Sequence, residues 1–363
     1  MLRILLFPFS FFFGILTYIR NKLYDWNFIQ SLQYDDVYVI SIGNITVGGT
    51  GKTPFVEYLV QTLSKKYRVA VLSRGYKRKT KGFRLVDSNT TVDEAGDESY
   101  QIKQKFPHIV VAVDVDRIRG IANIRKKYPD VQVILLDDAF QYRKINSNLS
   151  ILLADYNRPL YCDSMLPGGR LREWSCFAQR ADVMIVTKSP IDMSIGKQQE
   201  IEQSYARIFP RKIFFTSIKY GEPLPVFSNE KIIFSGDIKQ YDVLLITGIA
   251  NPKPFEDHVS QQAASVKTIN YADHHAFTEK DINHIATVWN SILSSNKILL
   301  TTEKDAVRLL QMKVPEAIAK CSFYVPIEFF FVKGNSQFEI FDYLCRRVSP
   351  IRPAPIESSR TGR

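Results

Sequence analysis

The chain has 363 residues, 45% of them hydrophobic and 23% charged, which excludes both a wholly disordered chain and a polytopic membrane protein. Lys and Arg number 48 against 37 Asp and Glu, so the net charge is +11 and favours an anionic partner: nucleic acid, a phosphorylated ligand or an anionic membrane. The four cysteines (Cys162, Cys176, Cys321, Cys345) form no C-x-x-C or Cys/His cluster, which excludes a zinc ribbon and reads as free thiols in a reducing compartment.

The first element is apolar. Residues 4–19 (ILLFPFSFFFGILTYI) carry no charge, and Arg20 and Lys22 follow. As a helix the run rises about 24 Å, short of the ~30 Å of a bilayer core. Arg3, Ser10, Gly14, Thr17 and Asn21 fall at helical spacing and make one narrow small or polar stripe. The run reads as a helix that dips into one leaflet, with Tyr18, Tyr24, Trp26 and Phe28 near the headgroups. A signal anchor and a buried core helix are the other readings.

Beyond residue 36, short β-branched runs alternate with helical periods. Strands are expected at 37–42, 69–73, 83–86, 109–113, 131–136, 149–154 and 183–187, and helices at 53–66, 97–106 and 116–127. Continuous apolar strands linked by helices imply a parallel sheet covered on both faces. A smaller α/β set follows: strands 243–249, 266–269 and 298–302, helices 254–264, 278–293 and 303–311. The expected organisation is a membrane-associated helix (1–30), a P-loop NTPase-like domain (31–225), a smaller α/β domain (226–349) and a disordered Pro-, Ser- and Arg-rich tail (350–363).

The strand at 37–42 runs into 43–54 (GNITVGGTGKTP) and then a helix, the context a Walker A loop requires. Glycines let backbone N–H groups curl around phosphate oxygens, and the helix start adds partial positive charge. Thr46, Val47, Gly48, Gly49, Thr50, Gly51, Lys52 and Thr53 are the candidate nucleotide-binding residues. Lys52 is placed at the β- and γ-phosphates and the Thr53 hydroxyl on Mg²⁺. Thr46 stands where the strict pattern has glycine.

The apolar strand at 133–136 ends in Asp137 and Asp138, as a Walker B strand does. Neighbouring side chains on a strand point opposite ways, so both acids serve one site only if the chain turns there. Asp97, just before a helix, reads either as an N-cap or as a general base for a hydroxyl nucleophile. His274, in the sequence Asp273-His274-His275, reads either as a surface histidine or as the group that tunes that base. Residues 65–84 carry nine basic side chains and no acid, beside the loop on the same sheet edge. No helix-turn-helix, RRM or zinc pattern supports nucleic acid. The 187–190 turn (TKSP) has Pro where guanine-reading turns have Asp, which favours ATP.

Together these residues resemble the tetraacyldisaccharide 4′-kinases of lipid A biosynthesis. The motifs are 43–54, 73–76 (SRGY), 95–98 (AGDE), 114–120 (DVDRIRG), 137–141 (DDAFQ), 166–173 (LPGGRLRE), 273–277 (DHHAF) and 302–307 (TEKDAV), ordered along some 265 residues. The resemblance implies two α/β/α domains joined by a flexible β linker. It also implies a peripheral or monotopic kinase on the cytoplasmic face of the bacterial inner membrane. This kinase transfers the ATP γ-phosphoryl to the 4′-hydroxyl of an acylated disaccharide 1-phosphate, with no obligate protein partner. It further implies Lys52 and Asp97 as catalytic groups, with His274 orienting Asp97. Thr53, Asp137 and Asp138 become Mg²⁺ ligands, and Tyr76, Arg117, Gln141, Arg172 and Glu173 become substrate contacts. Ala139, and Gly168-Gly169-Arg170, depart from the family's usual residues. A membrane-anchored P-loop regulatory NTPase is the alternative.

Overall fold

The computed structural model describes residues 2–227 and 237–333. The 350–363 tail and part of the 220–240 boundary lie outside them. Among the described residues fourteen strands occur, in chain order β1 (Tyr38–Gly43), β2 (Val69–Ser73), β3 (Arg84–Val86), β4 (Val110–Val113), β5 (Val133–Leu136), β6 (Leu149–Asp155), β7 (Val183–Thr187), β8 (Ile213–Tyr220), β9 (Leu224–Pro225), β10 (Asp242–Thr247), β11 (Ser265–Asn270), β12 (Lys297–Thr302), β13 (Ser322–Val325) and β14 (Ile327–Phe331). Nine form one sheet, in the order β14-β8-β7-β6-β1-β5-β2-β4-β3, parallel except for β14 and β3 at its edges. The other five form a mixed sheet, in the order β11-β10-β12-β13-β9. The protein is thus α/β with two sheets.

The apolar strands of the large sheet are buried on both faces, as β1, β2, β5 and β7 are throughout. From β1 the chain moves one way to β2 and β4, and later the other way to β6, β7 and β8. The strand order therefore reverses beside β1, and such a reversal opens a crevice at the carboxyl ends of the strands. β5 pairs with β1 so that Leu136 lies opposite Ser41, which brings the end of β5 beside the end of β1.

Several elements were not legible in the sequence. β8 and β14 pair antiparallel, so the chain re-enters the large sheet after building the small one. Leu224–Pro225, for which no strand was expected, is the edge strand of the small sheet, where proline's missing N–H is tolerated.

The N-terminal helix α1 (Leu2–Asp25) runs beyond the apolar segment. One side packs on the protein. The other exposes Phe7, Phe9, Phe11, Phe12, Leu16 and Ile19, each at least half exposed. Tyr24, expected near headgroups, is instead buried with the Arg143 guanidinium 4.9 Å from its ring, because the helix end docks on the large-sheet layer. Trp26 and Phe28 are exposed. Among the described residues no helix is long and apolar enough to cross a membrane.

Candidate active site

The phosphate loop links β1 to helix α2 (Lys52–Leu63). Gly51, the N-cap, sits at φ 75 and Gly48 at φ 105, conformations open to glycine at little cost. Positive φ therefore falls at Gly48 and not at Thr46. Thr46 is buried and forms an antiparallel bridge with Leu171, which accounts for a threonine at that position. The loop is pinned from both flanks. Val47 N–H donates to the Arg170 carbonyl (2.8 Å) and Arg172 N–H to that of Ile45 (2.7 Å). Thr187 Oγ1 donates to the Thr50 carbonyl (2.9 Å), and the Lys188 ammonium binds the Gly49 carbonyl. The outer face of the loop, Thr46 to Thr50, lines a cleft with Asp155, Arg158, Asp163 and Arg170. Gly43 at the end of β1 is demanded by close approach: a Cβ there would lie 2.7 Å from the Phe140 amide nitrogen.

That approach is made by the turn after β5. Asp138 takes a left-handed conformation (φ 47), so the chain reverses and the two consecutive acids face one place. Asp138 pairs with Lys52 Nζ (3.5 Å) and Arg172 Nη1 (3.2 Å). Burial pushes its carboxyl up, but Lys52 and Arg172 outweigh burial and hold it below the usual range. Asp137 is the opposite case: burial, then the charges of Glu98 and Asp138, push it up to about 7. Its Oδ1 is buried with no hydrogen-bond partner. An unsatisfied acceptor in a cluster of acids is a defect that a bound cation relieves.

A second cluster joins the two sheets. Helix α3 (Val92–Ala95) leads through Gly96 into α4 (Asp97–Lys105). Gly96 (φ 83) crosses so close to Tyr76 that a Cβ would sit 2.8 Å from its carbonyl oxygen, so the 73–76 and 95–98 segments interlock. Asp97 Oδ1 accepts from Glu98 N–H (2.9 Å), a local helix-start bond, while Oδ2 accepts from His274 Nδ1 (2.8 Å) and from Arg308. The sequence left capping and catalysis as alternatives; Gly96 is the N-cap and Asp97 the first helical residue, so the capping reading does not hold. His274 Nε2 lies 3.0 Å from Lys304 Nζ, so the ring is held between Asp97 on one nitrogen and the ammonium on the other. Burial alone would raise the Asp97 carboxyl. The His274 hydrogen bond and the Lys304 and Arg308 charges outweigh it and hold the group well below the usual carboxylate range. Tyr76 lies edge-on to His274, ring centres 5.1 Å apart.

His275 turns away, bonded to Asp281 (3.0 Å) and stacked on Tyr271. Lys304 and Arg308 both lie on the helix Glu303–Leu309. The sequence noted the 302–307 motif without giving it a role, and Arg308 lies one residue beyond it. Their i, i+4 spacing at a Thr302-capped helix start was the available signal. Lys304 also reaches Glu98 (3.3 Å), which stands between this cluster and Asp137.

The model of the LpxK family, tetraacyldisaccharide-1-P 4′-kinase, matches residues 2–345. The chain belongs to this family. The tetraacyldisaccharide 4′-kinase of Parabacteroides distasonis is 46% identical over 316 residues, 84% of each chain. That of Flavobacterium johnsoniae is 40% identical over 352 residues, 96% of this chain and 99% of its own. A crystal structure described as the "apo" form of LpxK from Aquifex aeolicus in complex with ATP superposes with TM-score 0.74 at 28% identity, covering 96% of this chain and 100% of that one. Family membership makes the chain an enzyme, a kinase of lipid A biosynthesis.

The remaining family motif residues hold parts of this LpxK-type site together. Gln141 Nε2 donates to the Asn44 carbonyl (2.8 Å) and to Glu173 Oε1 (2.9 Å). Glu173 is buried, its oxygens taken by Asn21, Gln141 and Arg180. Arg117 is buried beside Tyr142 and donates to the Asp137 carbonyl (3.4 Å). Lys52, Thr53, Asp137, Asp138, Arg172 and Gln141 thus share the phosphate-loop edge, and Asp97, His274 and Tyr76 share the junction between the sheets.

Proposed function

We propose that ATP binds with its triphosphate along residues 46–53, and that its γ-phosphoryl passes to the 4′-hydroxyl of an acylated glucosamine disaccharide 1-phosphate. The observation that carries this reading is the position of Asp97. It is ionised, held by His274 from the second sheet layer, and connected through Glu98 to the acids beside the phosphate loop.

Lys52 is drawn to phosphate oxygens from its pairing with Asp138. Asp97 accepts the acceptor's hydroxyl proton, and the His274 N–H keeps its carboxylate oriented. Arg172, Gln141 and Tyr76 line the approach to these groups, while Arg117 and Glu173 brace them from below. The donor set suits Mg²⁺, which uses one or two carboxylates plus substrate phosphates: Thr53, Asp137 and Asp138 would hold it, and the bare Asp137 Oδ1 fits that role. When bound, the ion neutralises charge on the transferring phosphates.

The two sheets act as two domains closing over the cleft, 31–225 and 226–349, except that β9 belongs to the small sheet and β14 returns to the large one. The exposed aromatic face of α1, with Arg20 and Lys22 at its end, lies in the cytoplasmic leaflet of the inner membrane and places the lipid acceptor near the site. Nucleic acid and an obligate protein partner have no part in this scheme. The test is purified protein with ATP, Mg²⁺ and the disaccharide monophosphate in detergent. A bisphosphate product is expected. ATP hydrolysis without transfer, stimulated by a protein partner, overturns the proposal in favour of a regulatory NTPase.

A further inference from the structure

The small and polar stripe of α1 is its docking face. Ser10 Oγ accepts from Gly168 N–H (2.9 Å), the Trp174 indole N–H donates to the Gly14 carbonyl (3.0 Å), and Asn21 Nδ2 donates to Glu173 Oε2 (2.7 Å). Glycine at 14 is required, because a Cβ would lie 2.7 Å from the Trp174 ring. Arg20 donates to the Gln141 carbonyl (2.7 Å), and Arg143 donates to the Asn21 carbonyl (2.6 Å). These partners come from two places only, residues 168–174 and the 141–143 turn.

The opposite side of the same two segments is the phosphate-loop edge. Leu171 bridges Thr46, the Arg170 carbonyl takes Val47 N–H, and Arg172 N–H donates to Ile45. The Arg172 side chain holds Asp138, which also holds Lys52, and Gln141 joins Glu173 to the Asn44 carbonyl. One short stretch of chain therefore sits between the exposed helix and the loop, hydrogen-bonded to both. Asn21 and Glu173 are both buried; without Asn21, Glu173 keeps only Gln141 and Arg180 and is free to shift toward them, and without Glu173 the Asn21 amide loses its acceptor.

We infer that α1 is a positioning element for the phosphate loop: Asn21, through Glu173 and Gln141, holds the segment whose backbone shapes Thr46 and Val47, so nucleotide affinity depends on how the helix is docked. The inference rests on the reading of that loop as an ATP site. By linkage, whatever displaces α1 weakens nucleotide binding, and bound nucleotide favours the docked helix.

The experiment uses the full chain in detergent, with a non-hydrolysable ATP analogue and Mg²⁺, followed by calorimetry in the absence of any lipid acceptor. Asn21→Leu keeps the branched shape and the number of heavy atoms, and removes the donor. It is expected to weaken analogue binding about three- to tenfold, within the range of couplings carried by packed networks. Asn21→Gln, which keeps an amide, is expected to recover part of the loss. Asn21→Leu and Glu173→Gln are expected to be non-additive, since they break one interaction. In turnover assays Asn21→Leu raises KM for ATP even at saturating lipid acceptor. A folded Asn21→Leu enzyme with unchanged analogue affinity, and only the KM for lipid raised, overturns the inference and leaves α1 as an anchor. Should Asn21→Leu not fold, Trp174→Phe removes the indole donor to Gly14 together with part of the ring packed on that glycine, and the same two readings apply. Failure of the unsubstituted chain to bind the analogue overturns the ATP reading itself, and the inference with it.

Discussion

At the phosphate-loop edge, Gly43 to Thr53 are consecutive residues, and the acids that face them stand at the end of the neighbouring strand. At the Asp97 junction, the two groups that hold the carboxylate come from positions 177 and 211 residues further along the chain. The first region needs only a strand, a turn and a helix in the right order. The second exists only when the two sheet layers are docked. The proposed phosphate site therefore draws on one layer, and the surroundings of the proposed base depend on the relative position of both.

Substitutions at four positions would break or sharpen this contrast. The largest effect is expected from Asp97→Asn, which removes the proposed base: kcat falls about 10²–10⁴-fold while analogue binding at the other edge is retained. Loss of both would merge the two regions into one. Lys52→Met is expected to lower kcat about 10²–10³-fold, with the pH dependence of the residual activity unchanged, because the junction is untouched. Arg308→Met removes a cation from Asp97. Its carboxyl then rises toward the ordinary value, and the acid limb of the kcat/KM profile moves to higher pH by about 1–2 units. Arg308→Lys restores part of the shift, and an unmoved limb would show that Asp97 is not the titrating base. Lys105→Met tests the contact between layers away from the chemistry. Lys105 pairs with Glu57 of the phosphate-loop helix (2.7 Å) and with Glu303 of the small-sheet layer (3.0 Å). A small loss of stability, about 0.2–1 kcal/mol in denaturant unfolding, is expected, with the pH profile of turnover intact.

Much of this was readable beforehand, for local reasons. Gly48, Gly51, Lys52 and Thr53 announce an anion site through backbone requirements that adjacent residues satisfy. The turn that brings Asp137 and Asp138 to one place was posed by the sequence as a condition, and Asp138 meets it with a left-handed backbone. Other features resisted reading. Asp273-His274-His275 offers two neighbouring imidazoles, and only packing sends one to Asp97 and the other to Asp281. The polar stripe of α1 was visible as a pattern, yet nothing in its spacing names Trp174 or Glu173 as its partners. Tyr24 looked like a headgroup residue until the helix end was seen to dock under Arg143.

By itself, then, the sequence determined the large parallel sheet, the phosphate loop and the acids at the strand end, because each depends on dihedral preferences and burial patterns within a short stretch of chain. Tertiary structure alone decided which histidine and which cations hold Asp97, how β14 returns to the large sheet, and which face of α1 is bound and which is bare. These depend on contacts between residues far apart in sequence, and the packing of whole layers, not any local periodicity, selects among the contacts that are chemically possible.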